Sequence, residues 1–76
     1  ISLYPNPTIG EIFISTSEQA EKVSILNVSG LNMLEISVDD ISSRKIKLDL
    51  HDYSKGTYFV KISYQDRHII RRFVLQ

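Results

Sequence analysis

Thr57-Tyr58-Phe59-Val60-Lys61-Ile62-Ser63-Tyr64 is the stretch whose reading decides the fold class. Tyr58, Val60, Ile62 and Tyr64 fall on one face, and Phe59, Lys61 and Ser63 on the other. A two-residue period rich in β-branched and aromatic side chains predicts a strand with one buried face. Towards the C-terminus, Gln65-Asp66-Arg67 reads as a turn. His68 to Leu75 reads as a last strand, with Ile69, Phe73 and Leu75 on its apolar face.

The same period recurs towards the N-terminus. Arg44 to Leu50 alternates charged with aliphatic side chains, the pattern of a strand with one wet face. The loop His51 to Gly56 follows it, and its Tyr53 is expected to tuck against the core. Met33 to Val38 places Leu34, Ile36 and Val38 inward, and the turn-rich Asp39 to Ser43 ends it. Lys22 to Val28 places Val23 and Ile25 inward, and Ser29-Gly30-Leu31-Asn32 reads as a hairpin turn with Gly30 at positive φ. Glu11 to Thr16 puts Ile12 and Ile14 on one face and Phe13 on the other. Polar Ser17 to Glu21 is a connection, and Ile1 to Tyr4 is a very short first strand. Strands at roughly 8–12-residue spacing, with turn signals between them, define an all-β sandwich. The expectation is one domain over residues 1–76: a small immunoglobulin-like sandwich of about seven short, mainly antiparallel strands.

The link between the first two strands is unusually specified. In Leu3-Tyr4-Pro5-Asn6-Pro7-Thr8-Ile9-Gly10, both prolines fix φ and donate no hydrogen bond. Pro7 also drives Asn6 into an extended conformation. Asn6 followed by Pro7 predicts a type I turn, and Gly10 is expected to take positive φ for the reversal into the second strand. The reading is a rigid corner, either a plain tight turn or a shape that a partner reads.

Composition removes several function classes. Nine Lys and Arg balance nine Asp and Glu. A net charge of zero argues against a nucleic-acid binder, which carries a basic excess. The chain has no cysteine, so a disulfide framework, a Cys-based zinc site and a thiol nucleophile are all out. No window reaches the roughly 20 apolar residues of a membrane helix. The chain begins with Ile1 and shows no signal-like run, which reads as a piece of a longer protein.

Chemistry-bearing residues are sparse. His51 beside Asp52, with serines elsewhere, is the weak makings of a catalytic triad, but no G-x-S-x-G elbow is present. Two histidines without cysteine make a poor metal set, and no cofactor is expected. Asp39 and Asp40 lack the spacing of a calcium loop, and read as a solvated turn. Asn27-Val28-Ser29 fits a glycosylation acceptor, yet Asn27 reads better as the entry to the hairpin. Phe59 faces away from the apolar side of its strand, and either meets a partner or is covered by a neighbour. Arg67, Arg71 and Arg72 are too few for nucleic acid and suit the guarding of an edge strand.

Several blocks, taken in order, resemble the C-terminal sorting domains of the type IX secretion system. Leu3 to Gly10 resembles the L-Y-P-N-P-T-x-G opening of that family. Val23 to Gly30 resembles its second block, and Leu48-Asp49-Leu50, Tyr53 and Gly56 to Ile62 resemble its third, G-x-Y-x-V-x-I block. Arg71 to Gln76 resembles its basic-then-aliphatic end. The departures are Asn27, Leu31, His51 and Tyr53, where the family commonly has Asp, a basic residue, Ser and Leu. The resemblance implies a non-catalytic secretion signal at the end of a longer cargo protein of Bacteroidetes bacteria. The cargo would reach the periplasm by its own signal peptide and cross the outer membrane once the translocon recognises the folded domain. A sortase-like surface protease would then typically cleave it, leaving the cargo at the cell surface or secreted. The motif residues expected to matter are Tyr4, Pro5, Asn6, Pro7, Gly10, Gly30, Gly56 and Tyr58, with Lys55, Arg71 and Arg72 as charge contacts. The alternative is an immunoglobulin-like binding or spacer module of a surface protein.

Overall fold

The computed structural model describes residues 1–37 and 45–76. Seven strands form among these residues, each within a residue or two of the alternating segments: β1 (Ser2–Tyr4), β2 (Glu11–Ser15), β3 (Lys22–Asn27), β4 (Asn32–Ser37), β5 (Lys45–Asp49), β6 (Gly56–Ser63) and β7 (His68–Leu75). They pair antiparallel in two sheets, β1-β2-β5 and β4-β3-β6-β7. The orders β1-β2-β5 and β3-β6-β7 are those of strands A-B-E and C-F-G in an immunoglobulin-type sandwich. Here β4 pairs with β3 instead of β5. The expected positions Val38, Asp39 and Asp40 lie outside the described residues.

The core is what the two-residue period places between the sheets. Leu3, Ile14 and Ile46 form one row of the smaller sheet, and Ile12 and Leu48 the next. Val23, Ile25, Tyr58, Val60, Ile62, Phe73 and Leu75 face them from the larger sheet, and all seven are buried. Burying side chains of this size contributes about 1.5–3 kcal/mol each before the ordering entropy is set against it. Leu34 and Ile36 point inward as expected but stay half-buried. They lie on the edge strand of a four-stranded sheet that faces only three strands.

Tyr58 does more than fill the core. Its hydroxyl donates to the carbonyl of Ser54, four residues upstream. A tyrosine near the start of the sixth strand, bonded back to the preceding loop, is the tyrosine corner of immunoglobulin-like sandwiches. Its ring lies between those of Tyr53 (6.2 Å) and Phe73 (5.8 Å), so an aromatic column runs from the β5–β6 loop to β7.

Two local expectations need correction. Gly10 is not at positive φ; of the three glycines, Gly30 (82°) and Gly56 (150°) are. A side chain at Gly10 would instead collide with the His51 ring, so the glycine serves a close approach. The turn expected at Asn6 is also different. The bonds before Pro5 and Pro7 are both cis. The Asn6 side chain bonds to β7 in place of a local turn: Val74 N–H donates to Asn6 Oδ1 (3.1 Å), and Asn6 Nδ2 donates to Arg72 O (3.3 Å).

Candidate functional site

The corner is fastened to the far end of the chain. Thr8 forms a parallel bridge with Leu75: Thr8 N–H donates to Val74 O (2.9 Å), and Gln76 N–H donates to Thr8 O (2.8 Å). Thr8 Oγ1 donates to Glu11 O and accepts from Gly10 N–H (3.2 Å). Thr8 is therefore buried with its polar groups satisfied. Together Asn6 and Thr8 cover the outer edge of β7 from Arg72 to the C-terminus. An asparagine side chain can do this because its amide carries the donor and acceptor of a peptide group.

Two more segments gather at the same end of the sandwich. The β5–β6 loop reaches the corner through Leu50 N–H donating to Gly10 O (2.6 Å) and through the His51 ring packed on Gly10. In the other direction it reaches the β3–β4 hairpin, where Tyr53 Oη donates to Met33 O (3.3 Å). That hairpin is closed by Gly30 N–H to Asn27 O (2.9 Å) and Asn27 N–H to Leu31 O (3.0 Å). The loop is thus Val28-Ser29-Gly30, one residue earlier than read from the sequence, with Gly30 left-handed at its third position. Asn27 Oδ1 accepts from Ser29 N–H (2.9 Å) and Leu31 N–H (3.0 Å), which ties that side chain into the turn. Gly56 opens β6 beside them, opposite Leu75.

The result is a continuous end face built from the corner, the β3–β4 hairpin, the β5–β6 loop and the C-terminal residues. Of the predicted motif residues, Tyr4, Pro5, Asn6, Pro7, Gly10, Gly30, Gly56 and Tyr58 all lie in or directly beneath it. Lys55 joins them on the exposed loop. Arg72 is exposed on β7, its carbonyl held by Asn6. Arg71 sits one residue further towards the opposite end, on the inner side of the β7 edge yet exposed. Phe59 is elsewhere, half-buried on the outer face between Leu26 and Arg72. Its own neighbours therefore cover much of it.

The end face is apolar where a surface is ordinarily polar. Among the described residues, seven large hydrophobic side chains are exposed, and Tyr4, Ile9, Val28, Leu31 and Met33 are all at this end. Ile9 (81%), Val28 (70%) and Leu31 (61%) are the most open. They sit on bonded turns, so their exposure does not come from loose chain. The sequence reading gave none of these three, nor Thr8, a contact role. An aliphatic residue in a turn carries no signal of exposure until the turn's direction is known.

Beside the corner lies an open groove of about 200 Å³, lined by Pro5, Thr8, Ile9, Glu11, Phe13 and His51. Phe13 is stacked on Tyr4 at 5.6 Å. His51 donates its Nδ1–H to Asp49 (2.5 Å) and its backbone N–H to the same carboxylate (3.1 Å). These bonds hold the Asp49 carboxyl below its ordinary range, the backbone bond contributing most. The His51 partner is thus Asp49, not the neighbouring Asp52 that a triad reading paired it with. Among the described residues no group of three or more His, Asp or Glu could hold a metal ion. Among the described residues there is no helix long and apolar enough to cross a membrane.

No curated protein matches the chain. The family described as the secretion system C-terminal sorting domain matches residues 2–76, nearly the full length. The ordered blocks, the all-β sandwich and the convergence of the motif residues agree with that match: the chain belongs to this family and is a C-terminal sorting signal of type IX secretion, which directs export across the outer membrane.

Proposed function

We propose that the secretion machinery reads this domain in its folded state, and that it reads the loop end. What supports this reading is one observation: four stretches far apart in sequence converge on one end face, and that face leaves Ile9, Val28 and Leu31 in water on rigid turns. A linear signal would not need a corner bonded to residues 66 and 68 positions away. Exposed apolar side chains on preorganised turns suit a protein partner, because little ordering entropy is lost on docking. Ile1 leaves the sandwich at the opposite end, so a cargo joined there would not shade the face. In this scheme the cargo crosses the periplasm, the translocon binds the loop end, and a sortase-like surface protease cleaves upstream of the sandwich once the cargo is outside.

The test is a fusion of residues 1–76 to a periplasmic reporter in a host that carries the machinery. The reporter is expected at the cell surface. The double variant Ile9→Asp, Leu31→Asp is expected to leave it in the periplasm while thermal melting of the domain is unchanged. A wild-type fusion that folds but stays in the periplasm overturns the reading. Surface delivery by the double variant overturns the assignment to the loop end.

A further inference from the structure

We infer that the open edge of β7 is a self-association surface: a second copy of this chain adds to it antiparallel, with Ile70 opposite Ile70, and joins two four-stranded sheets into one of eight. The inference goes beyond the sorting reading and does not rest on it.

The backbone supplies the first reason. On one side β7 pairs with β6 along its whole length. On the other, the corner covers it from Arg72 onward: Asn6 and Thr8 take up Arg72 O, both backbone groups of Val74, and Gln76 N–H. Every second residue of β7 therefore turns its backbone outward. By the same alternation, Ile70 and His68 do so too. Among the described residues, the N–H groups of His68, Ile70 and Arg72 meet no acceptor. The Ile70 carbonyl takes one bond, from the neighbouring Arg71 Nη1 (3.3 Å), and can accept another. A row of this kind is a template for a further strand.

The register supplies the second. Ladder bonds form where outward-turned residues oppose each other, so a twofold axis passes through a residue of β7 and never between two. Centred on Ile70, the pairing sets Ile70 against Ile70, Arg71 against Ile69 and Arg72 against His68. It then fills the stretch from His68 to Arg72 that the corner leaves open. Centred on Arg71, it opposes two guanidinium groups and drives the Asn6-bonded Val74 against His68. Like charges directly opposite destabilise a sheet. Centred on Ile69, it pairs just three residues of the strand, His68 to Ile70. The basic residues read from the sequence as edge guards thus admit one register and reject its neighbour. Arg67, the third of them, is engaged with Glu18 and Asp66.

The side chain at the axis supplies the third. Ile70 is an exposed large hydrophobe on the open part of this edge, at 48%. Two β-branched residues directly opposite make a favourable cross-strand pair. An edge-to-edge contact buries less than the roughly 1,200 Å² of a stable interface, so the pair is weak and reversible. Antiparallel addition points the two loop ends in opposite directions and leaves both open.

The chain has no cysteine, so a single one introduced at the edge reports the contact. Opposed residues of such a pair have Cα atoms about 5.5 Å apart, within disulfide reach. Ile70→Cys is expected to form a cross-linked dimer under mild oxidant about tenfold faster than Val28→Cys, although Val28 is the more exposed position. Sedimentation equilibrium of the wild-type 76-residue chain is expected to show a monomer–dimer transition at about 0.1–1 mM, the range of a small interface. Ile70→Lys sets two ammonium groups at the axis, and is expected to weaken association about tenfold with thermal melting unchanged. A wild-type chain that stays monomeric over that range overturns the inference, and so does a dimer that Ile70→Lys leaves intact. Equal cross-linking rates for the two cysteine variants overturn the register and the edge with it.

Discussion

Among the described residues, the two ends of the sandwich are closed by opposite means. At the end away from the corner, polar groups find each other. Thr16 and Tyr64 hydroxyls bond at 2.6 Å, Arg67 lies 4.6 Å over the Tyr64 ring, and its guanidinium pairs with Glu18 (2.5 Å) and Asp66 (3.1 Å). Those contacts raise the Arg67 pKa, chiefly through the bond to Glu18. At the corner end the backbone is fastened just as firmly, yet aliphatic side chains are left in water. A β-sandwich can finish its loops with polar partners, as the far end does. An end that is rigid and apolar is one suited to a contact outside the chain.

The most severe disruption is expected from Phe73→Ala. It removes the base of the aromatic column under the loop end, and about 3–5 kcal/mol of stability with it. Urea denaturation should show the midpoint collapse. Hydrogen exchange should show loss of protection reaching β3 and β6 at the far end as well, if the two ends share one core. Loss confined to the corner and the β5–β6 loop would mean the ends fold as separate units.

Asn6→Ala and Thr16→Val form a matched pair. Each removes side-chain hydrogen bonds that tie distant segments, at a cost of about 1–2 kcal/mol. Melting should therefore fall by similar amounts for both. Surface delivery of a fused reporter should fall only for Asn6→Ala. Equal losses of delivery would show that stability alone limits export and that the ends do not differ in function.

Gly10→Ala is expected to cost less, about 1 kcal/mol, the low end for an overpacked site because the His51 ring is open to solvent and can swing aside. The ring would leave Asp49, which its NMR signals should report. Adding His51→Ala should restore the stability but not the shape of the groove.

The smallest effect is an acid one. The Asp49 carboxyl is depressed below its ordinary 3.8, so its contribution to stability is present above that pH and is lost as pH falls through the folded value. Asp49→Asn should therefore flatten the acid limb of the stability curve below about pH 4. A limb identical to wild type would mean that the His51 bonds do not persist in solution.

Legibility varied along the chain for physical reasons. Strands were readable because a period of two is written directly in residue order: Tyr58, Val60, Ile62 and Tyr64 are buried as their spacing requires. Gly30 was readable because a left-handed residue at a hairpin is a local demand. Gly10 was read wrongly because its constraint is the His51 ring, 41 positions later in the chain. Asn6 looked like the start of a turn because asparagine commonly makes one, and nothing local says that its amide will bond to Arg72 and Val74. Tyr58 was readable as a core residue, whereas its hydroxyl's role as a corner bond to Ser54 was not.

By itself, residue order determined the all-strand class, the inward face of each strand and the membership in the sorting family, because each depends on neighbours within a few positions. Only the tertiary structure decided that the corner, the hairpin, the β5–β6 loop and the C-terminal residues share one end. It also decided that, among the described residues, β7 is left uncovered from His68 to Arg72 and that Ile9, Val28 and Leu31 stand in water. Those facts depend on strand pairing across long stretches of chain, where the packing of the whole core, and no local preference, sets the register.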